Sequence, residues 1–321
     1  MKKGFFRSNK YLNIKDLLVI TGMFLFMNIF AAVIVTFSLK FFNVSVAEPI
    51  GFNILVIYFI AFSLLIMFLL LYRKVRSLKD EGVKLESPFK GGKFSPSILL
   101  FGILLTLSSQ IVANPFVELF PDSSDTMLKT LQKLGSYAIL LTVFIAPVFE
   151  ELVFRGVVLN DVRRSFGSFT AVVVSALLFS VVHLNMAQML PAFLAGIVFG
   201  YVYIASGSIW AVIFLHLLNN ALSYLLYIIM PVEDFSKPLG EIIQPQYIYY
   251  IIYVSAFVML LGMVVRLIFL CRTDNKLRAA QVNNNVDTDL IIENKPSEIA
   301  DEKDDKKDDE DSTKLTDTPF I

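Results

Sequence analysis

The chain has 321 residues, 56% of them hydrophobic and only 17% charged, against roughly 25% charge in an ordinary soluble domain. Its charges gather between long uncharged runs, which excludes a pair of soluble domains and indicates one polytopic membrane domain plus a tail, since a span needs about 20 apolar residues. The net charge of zero hides an asymmetry: from Arg272 onward 8 Lys and Arg stand against 14 Asp and Glu (8 − 14 = −6), leaving +6 on the rest. The single cysteine, Cys271, excludes an internal disulfide and any Cys/His metal cluster.

The N-terminus carries Lys2, Lys3, Arg7, Lys10 and Lys15 ahead of an apolar run from Leu17 to about Phe42. That run is longer than a signal-peptide core and has no small-residue cleavage site close behind it, so it reads as a retained first span. About eight candidate spans follow in order, at roughly 17–39, 52–72, 97–115, 137–160, 168–184, 189–206, 209–230 and 247–271. Helix is the form expected for each, because backbone groups must be satisfied within the segment in lipid. None alternates as a membrane β-strand does. The fifth and sixth runs are short and close together, as a re-entrant segment would be.

The connector between the second and third spans holds Arg73, Lys74, Arg76, Lys79, Lys84, Lys90 and Lys93, and the next basic connector holds Arg163 and Arg164. Connectors 40–51, 116–136 and 231–246 are poorer in cations. This alternation predicts a multi-pass cell-membrane protein with both termini in the cytoplasm. From about Asn275 to Thr318 the chain is rich in Asn, Asp, Glu and Lys and lacks aromatic residues, so a disordered charged tail is expected. The fold class is therefore all-α, a membrane helical bundle. Its expected divisions are spans one to three (1–136), a core of spans four to seven (137–230), a last span (231–273) and the tail (274–321). No basic, aromatic-interleaved stretch suggests nucleic-acid binding. The partners expected are the lipid bilayer and a peptide or membrane-protein substrate.

The chemistry lies in the rare residues. Both histidines of the chain, His183 and His216, stand within apolar runs, and a third run contains Glu150 and Glu151. Ionisable groups at membrane depth cost about 3 kcal/mol or more, and normally face a bundle interior or a wet cavity. Glu151 and Arg155 are four apart and share a helix face, whereas Glu150 points about 100° away. Arg155 is expected to hold Glu151 ionised while Glu150 keeps lone pairs free to act on water. Pro147, four residues before Glu151, is expected to loosen the helix and free a carbonyl. Glu150 lies 17 residues before Gly167 and His183 lies 16 after it. In a straight hairpin turning at Gly167 the two are level, roughly 25 Å from the turn. Phe179 and His183 are four apart, as are His216 and Asn220, so each pair shares a face. Gly196 and Gly200 read as a close helix contact.

The set Glu150-Glu151-x-x-x-Arg155, Phe179-x-x-x-His183 and His216-x-x-x-Asn220 resembles the three motifs of the CAAX-protease and bacteriocin-processing family. That family includes bacterial relatives once called abortive-infection proteins. The resemblance covers about residues 137–225. It implies an intramembrane endopeptidase in which Glu150 activates the hydrolytic water and His183 sits beside it. His216 and Asn220 would hold the oxyanion, with Glu151, Arg155 and Phe179 in support. Members have been described both as glutamate-dependent and as metalloprotease-like. A metal-free glutamate mechanism without a cofactor is favoured here, because there is no His-Glu-x-x-His. The alternative is a divalent metal such as zinc on Glu150, His183 and His216. The sequence also leaves open a non-catalytic immunity or scaffold protein, and a proton-coupled transporter using the same residues as a relay.

Overall fold

The computed structural model describes residues 14–41, 49–79, 87–89, 91–92, 95–121, 129, 131–132, 134–230 and 239–293. The N-terminal cations Lys2 to Lys10, the connector lysines Lys84, Lys90 and Lys93, and the acidic run 301–311 lie outside these. Among the described residues there is helix and no strand. In chain order the helices are α1 (Ile14–Phe41), α2 (Pro49–Lys79), α3 (Pro96–Val117), α4 (Gly135–Phe166), α5 (Ser168–Val181), α6 (Met186–Ser206), α7 (Ile209–Ile229) and α8 (Gln246–Glu293).

Seven of them, all but α5, are long and apolar enough to cross a membrane. Among the described residues the about eight expected spans correspond to these seven and the short apolar helix α5. At 14 residues, α5 measures about 21 Å, less than the ~30 Å of hydrocarbon. It stops because Leu184 adopts a left-handed conformation (φ 51°) and Asn185 caps α6, its side chain accepting the backbone N–H of Gln188. His183 therefore lies in the turn beyond α5 rather than within a span. The α8 helix continues to Glu293, and the rest of the expected disordered tail lies outside the described residues. No Gly or Pro stands between Gly262 and Pro296 to break it, and Lys276, Leu277, Arg278, Ala279, Ala280 and Gln281 all favour helix. The chain divides into two compact units, 1–275 and 276–321.

Buried charge pairs tie the helices together at one end. Arg73 of α2 makes two hydrogen bonds to Asp161 of α4, at 2.8 and 2.9 Å. Arg76 reaches Asp16 of α1 at 3.1 Å. Arg163 and Ser168 both bond Asp274, and the Asn275 side chain accepts the backbone N–H of Ser168, which opens α5. Gly167 makes the α4–α5 turn with φ +84°, a backbone state that favours glycine. At the opposite end Asn114 accepts the backbone N–H of Leu239.

The α5–α6 contact depends on small residues. A Cβ added to Gly196 would meet the Cα and Cβ of Ala176 at 2.9 Å, and one added to Gly200 would meet a Val172 methyl at 2.8 Å. Replacing Gly196 by valine is expected to destabilise the protein by about 1–3 kcal/mol through overpacking. The check is the thermal midpoint in detergent, with a variant at an exposed position such as Phe169→Leu as the unchanged control.

Candidate active site

The helix carrying the paired glutamates is not wound uniformly. Within α4, residues Ile139–Ile145 and Leu152–Leu159 are π-helical, and the α-helical turn Ala146–Glu151 lies between them. π-Segments are rare and recur at functional sites. Here the cause is local. The N–H of Ala146 bonds the carbonyl of Leu141, five residues back. The next donor in that register would be residue 147, bonding Thr142, but Pro147 has no N–H. Asn220 of α7 fills the vacancy: its Nδ2–H donates to the Thr142 carbonyl at 2.8 Å. Pro147 thus frees a carbonyl, as its position predicts, and the partner for it comes from another helix.

Asn220→Ala is expected to lose on the order of 1 kcal/mol of stability, typical of an interhelical hydrogen bond in a membrane protein. In a Pro147→Ala background the loss should shrink, because the new N–H takes over Thr142. Unfolding of the four-variant cycle in detergent reads the coupling. Equal losses in both backgrounds would contradict it.

Below this turn a buried charge cluster is built. Glu151 and Arg155 are both 0% exposed. Arg155 donates Nη1–H to Glu151 Oε1 at 2.9 Å and Nη2–H to the Gly196 carbonyl of α6 at 3.1 Å. Its guanidinium lies 4.6 Å from the centre of the Phe179 ring and 5.4 Å from that of Phe199, so aromatic faces replace part of its lost hydration. The same Glu151 oxygen binds His216 Nδ1 at 2.8 Å. Oε2 of Glu151 and Nε of Arg155 are buried without a hydrogen-bond partner.

Glu150 points elsewhere, as its helix position requires. Its side chain is 15% exposed, and Oε2 lies 3.7 Å from His216 Nε2. That is too long for a direct hydrogen bond but within reach for a small side-chain shift. Phe179 stands between the two histidines, its ring centre 5.0 Å from that of His183 and 5.5 Å from that of His216, edge-on to both. His183 is held by Nδ1, 2.7 Å from the Phe179 carbonyl.

The structure therefore brings Glu150, Glu151, Arg155 and His216 into one cluster. His183 joins it across Phe179, and Asn220 sits one helical turn from His216, against Thr142. Sequence reasoning missed Thr142, Phe199 and the Gly196 carbonyl. Nothing in their residue types marks them, although the Gly196–Gly200 spacing did mark the close approach that exposes that carbonyl to Arg155.

Both imidazoles are anchored through Nδ1, as ligand histidines often are. Yet among the described residues no three His, Cys, Asp or Glu side chains converge to hold a metal ion. Glu150, His183 and His216 as placed do not make the three-ligand set that zinc needs.

Comparisons with known proteins agree with the motifs. Residues 132–222 match the family described as type II CAAX prenyl endopeptidase, Rce1-like. The chain is also 28% identical over 82 residues, 26% of its length, to "Putative membrane peptidase YdiL" of Bacillus subtilis. It spans only about a third of that relative's length, 34%. No solved structure matches the chain significantly.

Proposed function

We propose that this multi-pass membrane protein, whose residues 132–222 match a family of type II CAAX prenyl endopeptidases, is an endopeptidase using Glu150 to activate water inside the membrane. The observation that carries this reading is the asymmetry of the two adjacent glutamates. Glu151 is fully buried and committed to Arg155 and His216, while Glu150 is partly open and lies beside a histidine nitrogen.

In this reaction the Glu150 carboxylate takes a proton from water and the water oxygen attacks the scissile carbonyl. The C–N bond then breaks and the leaving amine receives the proton. No acyl-enzyme is involved. The Nε2 of His183 borders the same water. The second N–H of the Asn220 amide, beyond the one given to Thr142, serves the developing oxyanion together with His216. Removing such a donor typically costs about 3–4 kcal/mol in the transition state.

The substrate is a peptide or a membrane-associated protein. A bacteriocin leader, a signalling peptide or a self-immunity target all fit this class. The protein sits in a bacterial cell membrane with both termini in the cytoplasm. In support, Arg73, Arg163 and Arg272 gather at the end where α2, α4 and α8 meet through Asp161 and Asp274.

The test is the wild-type protein reconstituted in liposomes with a mixture of amphipathic and lipid-modified peptides, read by mass spectrometry. New termini are expected. Peptides that bind and are recovered intact would leave a binding protein, and proton flux without cleavage would leave a transporter.

A further inference from the structure

Away from the catalytic cluster, α3, α6 and α8 bring three side chains together toward the end of the bundle that holds Asp274. Arg266 of α8 is an exposed residue inside the apolar span Gln246–Leu277. Its guanidinium lies 5.6 Å from the centre of the Phe101 ring of α3. Tyr201 of α6 packs edge-on to the same ring, with 6.2 Å between centres, and its hydroxyl is within reach of the Arg266 charge. Phe101 stands five residues after the start of α3, and Tyr201 five before the end of α6. At 1.5 Å per residue the ring and the cation over it lie about 8 Å inside those helix ends.

Both polar groups lack an acceptor. Among the described residues no carboxylate or carbonyl bonds the Arg266 guanidinium, and none accepts from the hydroxyl of Tyr201, a residue only 3% exposed. The Phe101 face replaces part of the lost hydration of the cation, but its N–H donors remain to be satisfied, and a cation at membrane depth is costly without an anion. The surface deeper in the membrane is apolar. Gly262, one turn from Arg266 on the same face of α8, has open space where a side chain would stand: a Cβ there would meet nothing within 4 Å. Leu104, three residues beyond Phe101 on α3, is 43% exposed.

We infer that Arg266 and Tyr201 bind the phosphate of an anionic phospholipid, with Phe101 as the platform and an acyl chain running past Gly262. A phosphodiester oxygen accepts from the guanidinium and from the tyrosine hydroxyl, and its single negative charge offsets the single cation. A zwitterionic lipid brings a cation of its own and leaves that offset incomplete. A free phosphate ion has no hydrocarbon to lay over the apolar surface and must shed its water to enter. The bound lipid joins α8 to α3 and α6, so occupancy stabilises the folded protein. This site shares no residue with the catalytic cluster and does not depend on the peptidase reading.

The test uses the full chain in a mild detergent, read by native mass spectrometry and by its thermal midpoint. The probes are phosphatidylglycerol, phosphatidylcholine with the same acyl chains, and inorganic phosphate. The wild type should retain one phosphatidylglycerol in preference to phosphatidylcholine, and phosphatidylglycerol alone should raise the midpoint. Arg266→Gln should weaken that retention about tenfold or more, the loss of one charged hydrogen bond, and Tyr201→Phe should weaken it severalfold. Both variants should lose the lipid-induced rise in midpoint. Arg272→Gln removes an exposed cation six residues further along α8 and should behave as wild type. Retention by Arg266→Gln or Tyr201→Phe equal to that of the wild type overturns the two-donor site. Equal losses in Arg266→Gln and Arg272→Gln overturn it in favour of diffuse surface attraction. Inorganic phosphate raising the midpoint as far as phosphatidylglycerol overturns the lipid as occupant. Should Arg266→Gln fail to accumulate, Tyr201→Phe decides alone.

Discussion

Arg155→Met is expected to destabilise the protein by about 3–5 kcal/mol, the range for removing one partner of a buried ion pair. The variant leaves the Glu151 carboxylate at 0% exposure without its cation, and one of its oxygens already lacks a partner. Gly196 would also lose the donor that satisfies its carbonyl. The expected outcome is poor accumulation in membranes and a lowered unfolding midpoint. Glu151→Leu/Arg155→Met should recover much of the stability, because apolar side chains of similar size replace a buried pair at little cost. It should not recover activity. If the single variant is as stable as the wild type, the pair does not hold α4 to α6.

Glu150→Gln should do the opposite. The side chain keeps its shape and sits at the partly open edge of the cluster, where no bond to a neighbour shorter than 3.2 Å depends on its charge. Stability and membrane level should stay within about 0.5 kcal/mol and twofold of wild type. Cleavage should fall about 10²- to 10⁴-fold, the range for removing a positioned general base. Glu151→Gln, one residue away, should lose stability as well as rate. The pair of variants thus separates the two carboxylates by what each one does. Equal losses of stability in both would place Glu150 in the scaffold.

Much of this arrangement was legible in the sequence. The helical class follows from uncharged runs of span length. The separate roles of the glutamates follow from the 100° step between neighbours and the four-residue spacing of Glu151 and Arg155. Pro147 announced a freed carbonyl, since a missing N–H is a property of the residue itself. Other features depend on contacts between helices distant in sequence. The bond from Glu151 to His216 spans 65 positions, and nothing local tells which carboxylate an imidazole on another helix will choose. Asn220 likewise reads as a polar tip facing the site, yet one of its N–H groups serves the backbone of α4, 78 positions away. The early end of α5 is a third case: hydropathy continues through Val182, but Leu184 and Asn185 turn the chain and leave His183 at the tip.

The most direct test of Glu150-dependent peptide hydrolysis is a comparison of peptide termini in cells holding equal membrane levels of wild-type and Glu150→Gln protein. Wild-type cells should contain a discrete set of new termini, on secreted peptides or membrane proteins, that the variant cells lack. Identical sets of termini in the two cell lines, at matched protein levels, would contradict a peptidase whose water is activated by Glu150.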